Sequence, residues 1–289
     1  MINDYTTLLS IFDDSIKSLD YYKKLNCRIL DKSKSKRILP PESLADIVNT
    51  SYEFFSLIED HADMRISSSD YVDRATNHVW NKIARYRREF TSQSQFLPSL
   101  PSSIVAGLML ILPKMFPHLN LIVRTESKCA SEMNLDGSFS YKDHDASIGI
   151  MVSAGIFYPL ITWEVKEVYI DKTMACNTIP IALTTKALFP HSKAEIVTPS
   201  VTGNVKSSPF LTIRNLCHAT SREYNDRVYD KEVLLASLDA AIAHLSVLRL
   251  DDIMSWEKPS YTKYLTEKID IETVDQPIVR QFLTDRWTA

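Results

Sequence analysis

Pro159-Leu160-Ile161-Thr162-Trp163-Glu164-Val165-Lys166 is an apolar run that closes on Glu-x-Lys. Apolar flanks of this kind belong to the central strand of a sheet, covered on both faces. Working outward, residues 146–153 and 156–169 are two β-rich apolar runs around Ala154-Gly155, which predicts a hairpin. Asp143-His144-Asp145 precedes the first run. An acid, a gap that one hairpin fills, then Glu-x-Lys is the layout of a metal-dependent phosphodiesterase site.

The chemistry explains the spacing. Hydrolysis of a phosphodiester needs a water beside an anion that repels it, and a hard divalent cation offsets that charge. Magnesium takes one or two carboxylates plus waters. Asp145 opening one strand and Glu164 on the next can converge at one sheet end. Period-two alternation puts Lys166 on the face of Glu164 and Val165 on the other. Lys166 can then orient the water or neutralise phosphate. Glu-x-Lys on a surface strand is more often a cross-strand ion pair, but a charged pair leaving a buried strand is costly and so more often has a purpose. Asp143 is the rival to Asp145 for the metal, and Asp136 a more distant third. His144 reads as a loop histidine rather than a catalytic base.

Before this unit the chain reads as helical. Leu8 to Leu19 keep a helical spacing, a helix is expected from about Pro41 to Asp60, and another from about Ser69 to Phe90. Residues 96–103, rich in Pro and Ser, read as a linker or turn. Ile104 to Leu112 is a short apolar helix that Pro113 should end. Residues 119–125 are a strand candidate, and 131–140 a loop with Asp136-Gly137 as its turn. Asp171 to Leu188 reads as a helix that Pro180 kinks or restarts. Residues 194–201 and 210–216 are further strand candidates, and Lys231 to Leu250 is an amphipathic helix. The tail from Trp256 has no clear pattern. The expected fold is therefore α/β, a central mixed sheet flanked by helices. A helical N-terminal region, 1–97, would serve DNA contact or dimerisation, and 98–289 would form the catalytic domain with C-terminal helices.

Composition bounds the partners. The 289 residues are 45% apolar and 24% charged, ordinary for a folded soluble chain. Five glycines and no phosphate-loop pattern disfavour a nucleotide-binding loop. No apolar run reaches bilayer length, and Asp4 with no early basic cluster argues against a signal peptide. Four scattered cysteines read as reduced cytoplasmic thiols. A net charge of −3 argues mildly against nucleic acid. Two local basic clusters argue the other way: Lys23, Lys24, Arg28, Lys32, Lys34, Lys36 and Arg37, then Lys82, Arg85, Arg87 and Arg88. A solvated helix face is the ordinary explanation for each.

Lys142-Asp143-His144-Asp145, Ile148-Gly149, Glu164-Val165-Lys166 and Tyr169-Ile170-Asp171-Lys172-Thr173-Met174 together resemble the catalytic region of type II restriction endonucleases of the BbvCI kind, which have the PD-(D/E)xK nuclease fold. The resemblance covers roughly residues 140–200. It implies Mg2+ held by Asp145 and Glu164, with Lys166 completing the catalytic set. It also implies a phosphate contact from Lys172 and Thr173, where a helix N-terminus favours anions. The substrate it implies is a short duplex DNA site. Partners would be a homodimer or a second nuclease subunit, and a cognate DNA methyltransferase, in a cytoplasmic, prokaryotic setting. Two departures stand out. The usual proline before the aspartate is His144 here, and residues 104–112 offer no carboxylate, which leaves one metal ion or two open. Base readout would fall to Asn204, Lys206, Arg214, Asn215, Arg222 and Arg227, whose spacing specifies no target. Two other readings share these features: a non-catalytic DNA-binding or oligomerisation module that keeps the nuclease fold, and a repair or defence nuclease of the same fold without a fixed site.

Overall fold

The computed structural model describes residues 41–80, 99–152, 155–165, 172–198, 217–219 and 231–273. Three antiparallel strands carry the candidate site: β1 Ile122–Met133, β2 Phe139–Met151 and β3 Phe157–Val165. β1 and β2 pair from Ile122 opposite Gly149 to Met133 opposite Phe139. The turn between them is tight because Gly137 adopts φ +81 and Asp136 Oδ1 accepts from the Ser138 N–H at 2.8 Å. β2 and β3 pair from Met151 opposite Phe157 to Ala146 opposite Trp163, with the expected hairpin between them.

The register shifts between Ile148 and Gly149. A Cβ on Gly149 would lie 2.1 Å from the backbone oxygen of Tyr158, so only glycine lets the two strands approach there. The strand β2 is longer than its apolar run. Residues 139–145 continue the ladder, although Tyr141, Lys142 and Asp143 are exposed. The expected approach loop is strand because pairing to β1, not burial, fixes it. For the same reason Ser131–Met133 extend β1 into the expected loop.

β3 is buried along almost its whole length. After it, helix α5, Lys172–Leu188, crosses to β4, Lys193–Thr198, which runs parallel to β3. β5, Cys217–Ala219, adds parallel to β4, and the sheet order is β1-β2-β3-β4-β5. Pro180 sits inside α5 without ending it.

Seven further α-helices flank the sheet within the described residues. α1, Pro41–Ala62, begins at Pro41, where a missing N–H costs nothing. α2, Ser68–Asp73, is capped by Ser67, whose hydroxyl accepts from Asp70 N at 3.0 Å, and runs on into a π-helical turn, Arg74–Trp80. α3 spans Ser99–Met109, so the segment expected as a linker is partly helix. Ser102 and Ser103 are buried in it. Pro113 does not end that helix. It opens a separate turn, α4, Leu112–Met115, where proline is tolerated in the first positions. α6, Lys231–Ser246, and α7, Leu250–Met254, follow β5, and the unplaced tail forms α8, Tyr261–Thr273.

α3 packs on β1, β2 and β3, α6 packs on β4 and β5, and α5 packs on β1 and against α8. A single apolar cluster runs from Phe54 and Ile58 of α1 through Val105 and Leu108 of α3 to Ile148, Leu160 and Trp163 of the sheet and Leu238 of α6. Fully burying each such side chain contributes roughly 1.5–3 kcal/mol. Residues 8–19, both basic clusters, the expected domain boundary at 97 and the base-reading candidates 204–227 lie outside the described residues.

Candidate active site

The strand end that the sequence singled out lies where β2 and β3 part. Pairing stops at Ala146 opposite Trp163. One residue further, Asp145 turns its carboxylate onto β3, and Oδ2 accepts the Val165 N–H at 2.7 Å. That bond ties Asp145 to the backbone immediately beyond Glu164. Asp145 and Glu164 are both half-buried, whereas Asp143 is exposed and faces Lys128 across the β1–β2 ladder. Asp136 caps the separate turn between β1 and β2. Its bonds from Ser138 hold its carboxyl below the ordinary carboxylate range.

Alternation along β3 sorts the neighbours. Trp163 points towards α6, and its Nε1–H donates to Glu195 Oε2 at 3.0 Å and to Ser237 Oγ at 3.1 Å. Thr162 and Glu164 line a narrow pocket with Ile181 and Ala182 of α5, Lys142 and His144 of β2, and Ala194 and Glu195 of β4. The pocket is small, about 20 Å³. Lys166 lies outside the described residues, so its meeting with Glu164 stands as an expectation from alternation alone. Lys172 is the first residue of α5, with Thr173 next, which places both positions at the N-terminal end of a 17-residue helix.

His144 is not a loop histidine. It is a strand residue, 6% exposed, whose Nε2 has no hydrogen-bond partner among the described residues. Burial pushes its pKa below the ordinary histidine value. Glu164 opposes that shift, Lys142 adds to it, and Asp143 opposes it. The electrostatic coupling to Glu164 and the shared pocket put the imidazole and that carboxylate in one local environment. In the sequence His144 stood next to two exposed-looking acids, and period-two alternation was not carried back that far.

Glu195 was also missed. Its carboxylate is buried on the α6 side of the sheet, bonded by Trp163 and by Ser237 Oγ at 2.8 Å, and paired with Lys193 Nζ at 2.8 Å. The one available signal was an acid inside the apolar strand Ala194-Glu195-Ile196-Val197. Glu195 ties the sheet to α6 and also lines the pocket beside Glu164.

Among the described residues, no three His, Cys, Asp or Glu side chains form a ready-made metal cluster. A four-ligand structural zinc site is therefore not matched there. The pair Asp145 and Glu164 does match what magnesium takes, one or two carboxylates with the remaining positions left to water or substrate. No helix among the described residues is long and apolar enough to cross a membrane.

The described residues thus define a mixed α/β protein whose sheet presents two acids at the open end of a hairpin. No family model matches the sequence, and no curated protein matches it. Among solved structures, a chain of the native BbvCI A2B2 tetramer at low resolution is similar over 79% of this chain and 95% of that chain, with 13% identity and a TM-score of 0.41. The similarity is weak and concerns layout alone.

Proposed function

We propose that this chain is a subunit of a Mg2+-dependent type II restriction endonuclease, hydrolysing DNA phosphodiester bonds at a short duplex site. The observation that supports it most is the bond from Val165 N–H to Asp145 Oδ2, 2.7 Å, which ties Asp145 to the backbone one residue beyond Glu164. Asp145 and Glu164 would hold the ion, and bound magnesium would supply charge stabilisation at the phosphate. Glu164 stands on a strand that is otherwise buried, which holds its backbone in place. Lys166 orients the attacking water, and Lys172 with Thr173 steadies a flanking phosphate at the start of α5. Two active sites are needed to cut both strands, so a homodimer suits a palindrome and a second nuclease subunit suits an asymmetric site. A DNA methyltransferase would protect the host's own sites.

The test is plasmid digestion by the full chain with Mg2+. Discrete fragments or nicks are expected from the wild type, and none from Glu164→Gln or Lys166→Ala variants with unchanged unfolding midpoints. Wild-type-like cleavage by both variants overturns the reading. Random fragment ends would favour a nuclease without a fixed site.

A further inference from the structure

At the end of β3 away from Glu164, the described residues form a second and larger cavity, about 320 Å³. Tyr158, in its wall, and Glu164 are six residues apart on that strand, which separates the two places by roughly 20 Å. A volume of this size is in the range of small-molecule pockets. Its wall is aromatic and fixed. Trp256 Nε1–H donates to Leu188 O, at the end of α5, over 2.9 Å. The indole lies 5.1 Å from the ring of Phe189 and, edge to face, 5.8 Å from that of Tyr158. Tyr158 and Phe189 are fully buried, and the Tyr158 hydroxyl accepts the His191 N–H at 3.0 Å. Trp256 itself is half-buried and lines the cavity beside Tyr158.

The rim is negative. Asp252 of α7, Glu257 of the link to α8 and Glu267 of α8 stand there against one lysine, Lys263. Three acids less one lysine leave an excess of two negative charges, and one remains even with His191 protonated. Asp252 is loosely paired with Arg249, Nε to Oδ2 4.0 Å. Glu257 and Glu267 have no hydrogen bond or ion pair among the described residues. All four charged side chains are exposed, so water screens them. The acids therefore select the sign of a guest, and the aromatic wall supplies its contact area. The face of an indole or phenol ring attracts cations, so wall and rim favour the same charge.

We propose that this cavity binds a small organic cation, a flat apolar body with an ammonium or amidinium head. The site is independent of the roles proposed for Asp145 and Glu164.

The test uses the full chain, without Mg2+ or DNA, and three probes that share one ring and differ in charge: benzamidinium chloride, neutral benzamide and sodium benzoate. Calorimetry and tryptophan fluorescence read the binding. Benzamidinium is expected to bind with a Kd of about 1 mM or tighter, within reach of so small a ligand. Benzamide should bind about tenfold more weakly, the factor a desolvated cation on an aromatic face contributes, and benzoate should not bind. In the Glu257→Gln/Glu267→Gln double variant, changed only at exposed positions, benzamidinium affinity should drop to that of benzamide at an unaltered unfolding midpoint. Trp256→Leu, checked for folding in the same way, should lose both benzamidinium and benzamide. Equal affinity of the wild type for benzamidinium and benzamide overturns the proposal, as does wild-type affinity in the double variant. Absence of benzamidinium binding to the wild type overturns it outright.

Discussion

Asp145 does two things that a substitution can separate. Its Oδ2 accepts the Val165 N–H, and under the proposed function its charge would serve a cation. Asp145→Asn keeps an oxygen acceptor and removes the charge, so cleavage is expected to vanish while the urea midpoint stays put. Asp145→Ala removes both and is expected to lower stability by about 1 kcal/mol as well. Equal stability of the two variants would deny the bond a structural part. Trp163 carries a second prediction. Its indole donates to Glu195 and Ser237, and Trp163→Phe leaves the buried Glu195 Oε2 with one fewer donor. The expected loss is about 1–3 kcal/mol in urea unfolding, and a change below a few tenths would show that the network contributes little. At this scale the positions of Asp145 and Glu164 near the end of a buried hairpin were legible, because a carboxylate next to a buried run is conspicuous. His144 and Glu195 were not, because burial of a polar side chain depends on helices, α5 and α6, that sequence spacing does not bring to the strand. Nor could the sequence choose between Asp143 and Asp145 as the acid that turns towards β3, since only the pairing register decides which one does.

Elements differ in how local their causes are. The hairpin of β2 and β3 was readable because Ile148, Ile150, Leu160 and Ile161 are apolar in the strand itself. The start of β2 was not, because residues 139–145 become strand only by pairing with β1. Pro113 misled for a related reason: proline forbids continuing a helix but permits starting one, and the chain uses it to start α4. Gly149 tests the hairpin as a unit. A Cβ there would sit 2.1 Å from Tyr158 O, 2.8 Å from the Phe157 ring and 3.0 Å from Pro159 Cα. Two of those atoms are backbone and cannot swing aside, so Gly149→Ala must push β2 off β3. The expected cost is about 1–3 kcal/mol, in the range of overpacked cores. Because the same two strands carry Asp145 and Glu164, divalent-cation affinity should fall along with the midpoint. A variant with wild-type stability and affinity would show that the register shift at Ile148–Gly149 is soft.

Across the whole molecule, one buried and one half-buried histidine hold distant elements together while neutral. His61 of α1 donates Nδ1–H to Gly107 O of α3 at 3.1 Å and accepts the Ser68 hydroxyl of α2 at Nε2, 3.0 Å away, with its ring stacked on Tyr71. His244 of α6 donates to His191 O, beyond α5, at 2.9 Å. Burial lowers the pKa of both below the ordinary 6.5, against the smaller raising effect of those backbone bonds. A histidine whose folded pKa lies below its unfolded one is protonated first in the unfolded chain. In that window unfolding takes up protons, so stability rises with pH and is lost as pH falls through 6.5 towards the folded values. Asp63, whose pKa is lowered chiefly by its hydrogen bond from Lys114, adds a loss of the same sign only below its ordinary 3.8. Urea midpoints should therefore be flat above about pH 7, fall between there and pH 5, and fall again in stronger acid. In His244→Gln, where an amide can still donate to His191 O, the first fall should be shallower and the second unchanged. A midpoint that holds or rises on going from pH 7 to pH 5 would mean that the imidazoles gain a proton without opening the joints between α1, α3 and the sheet's helices, and the linkage argued from their burial would be wrong.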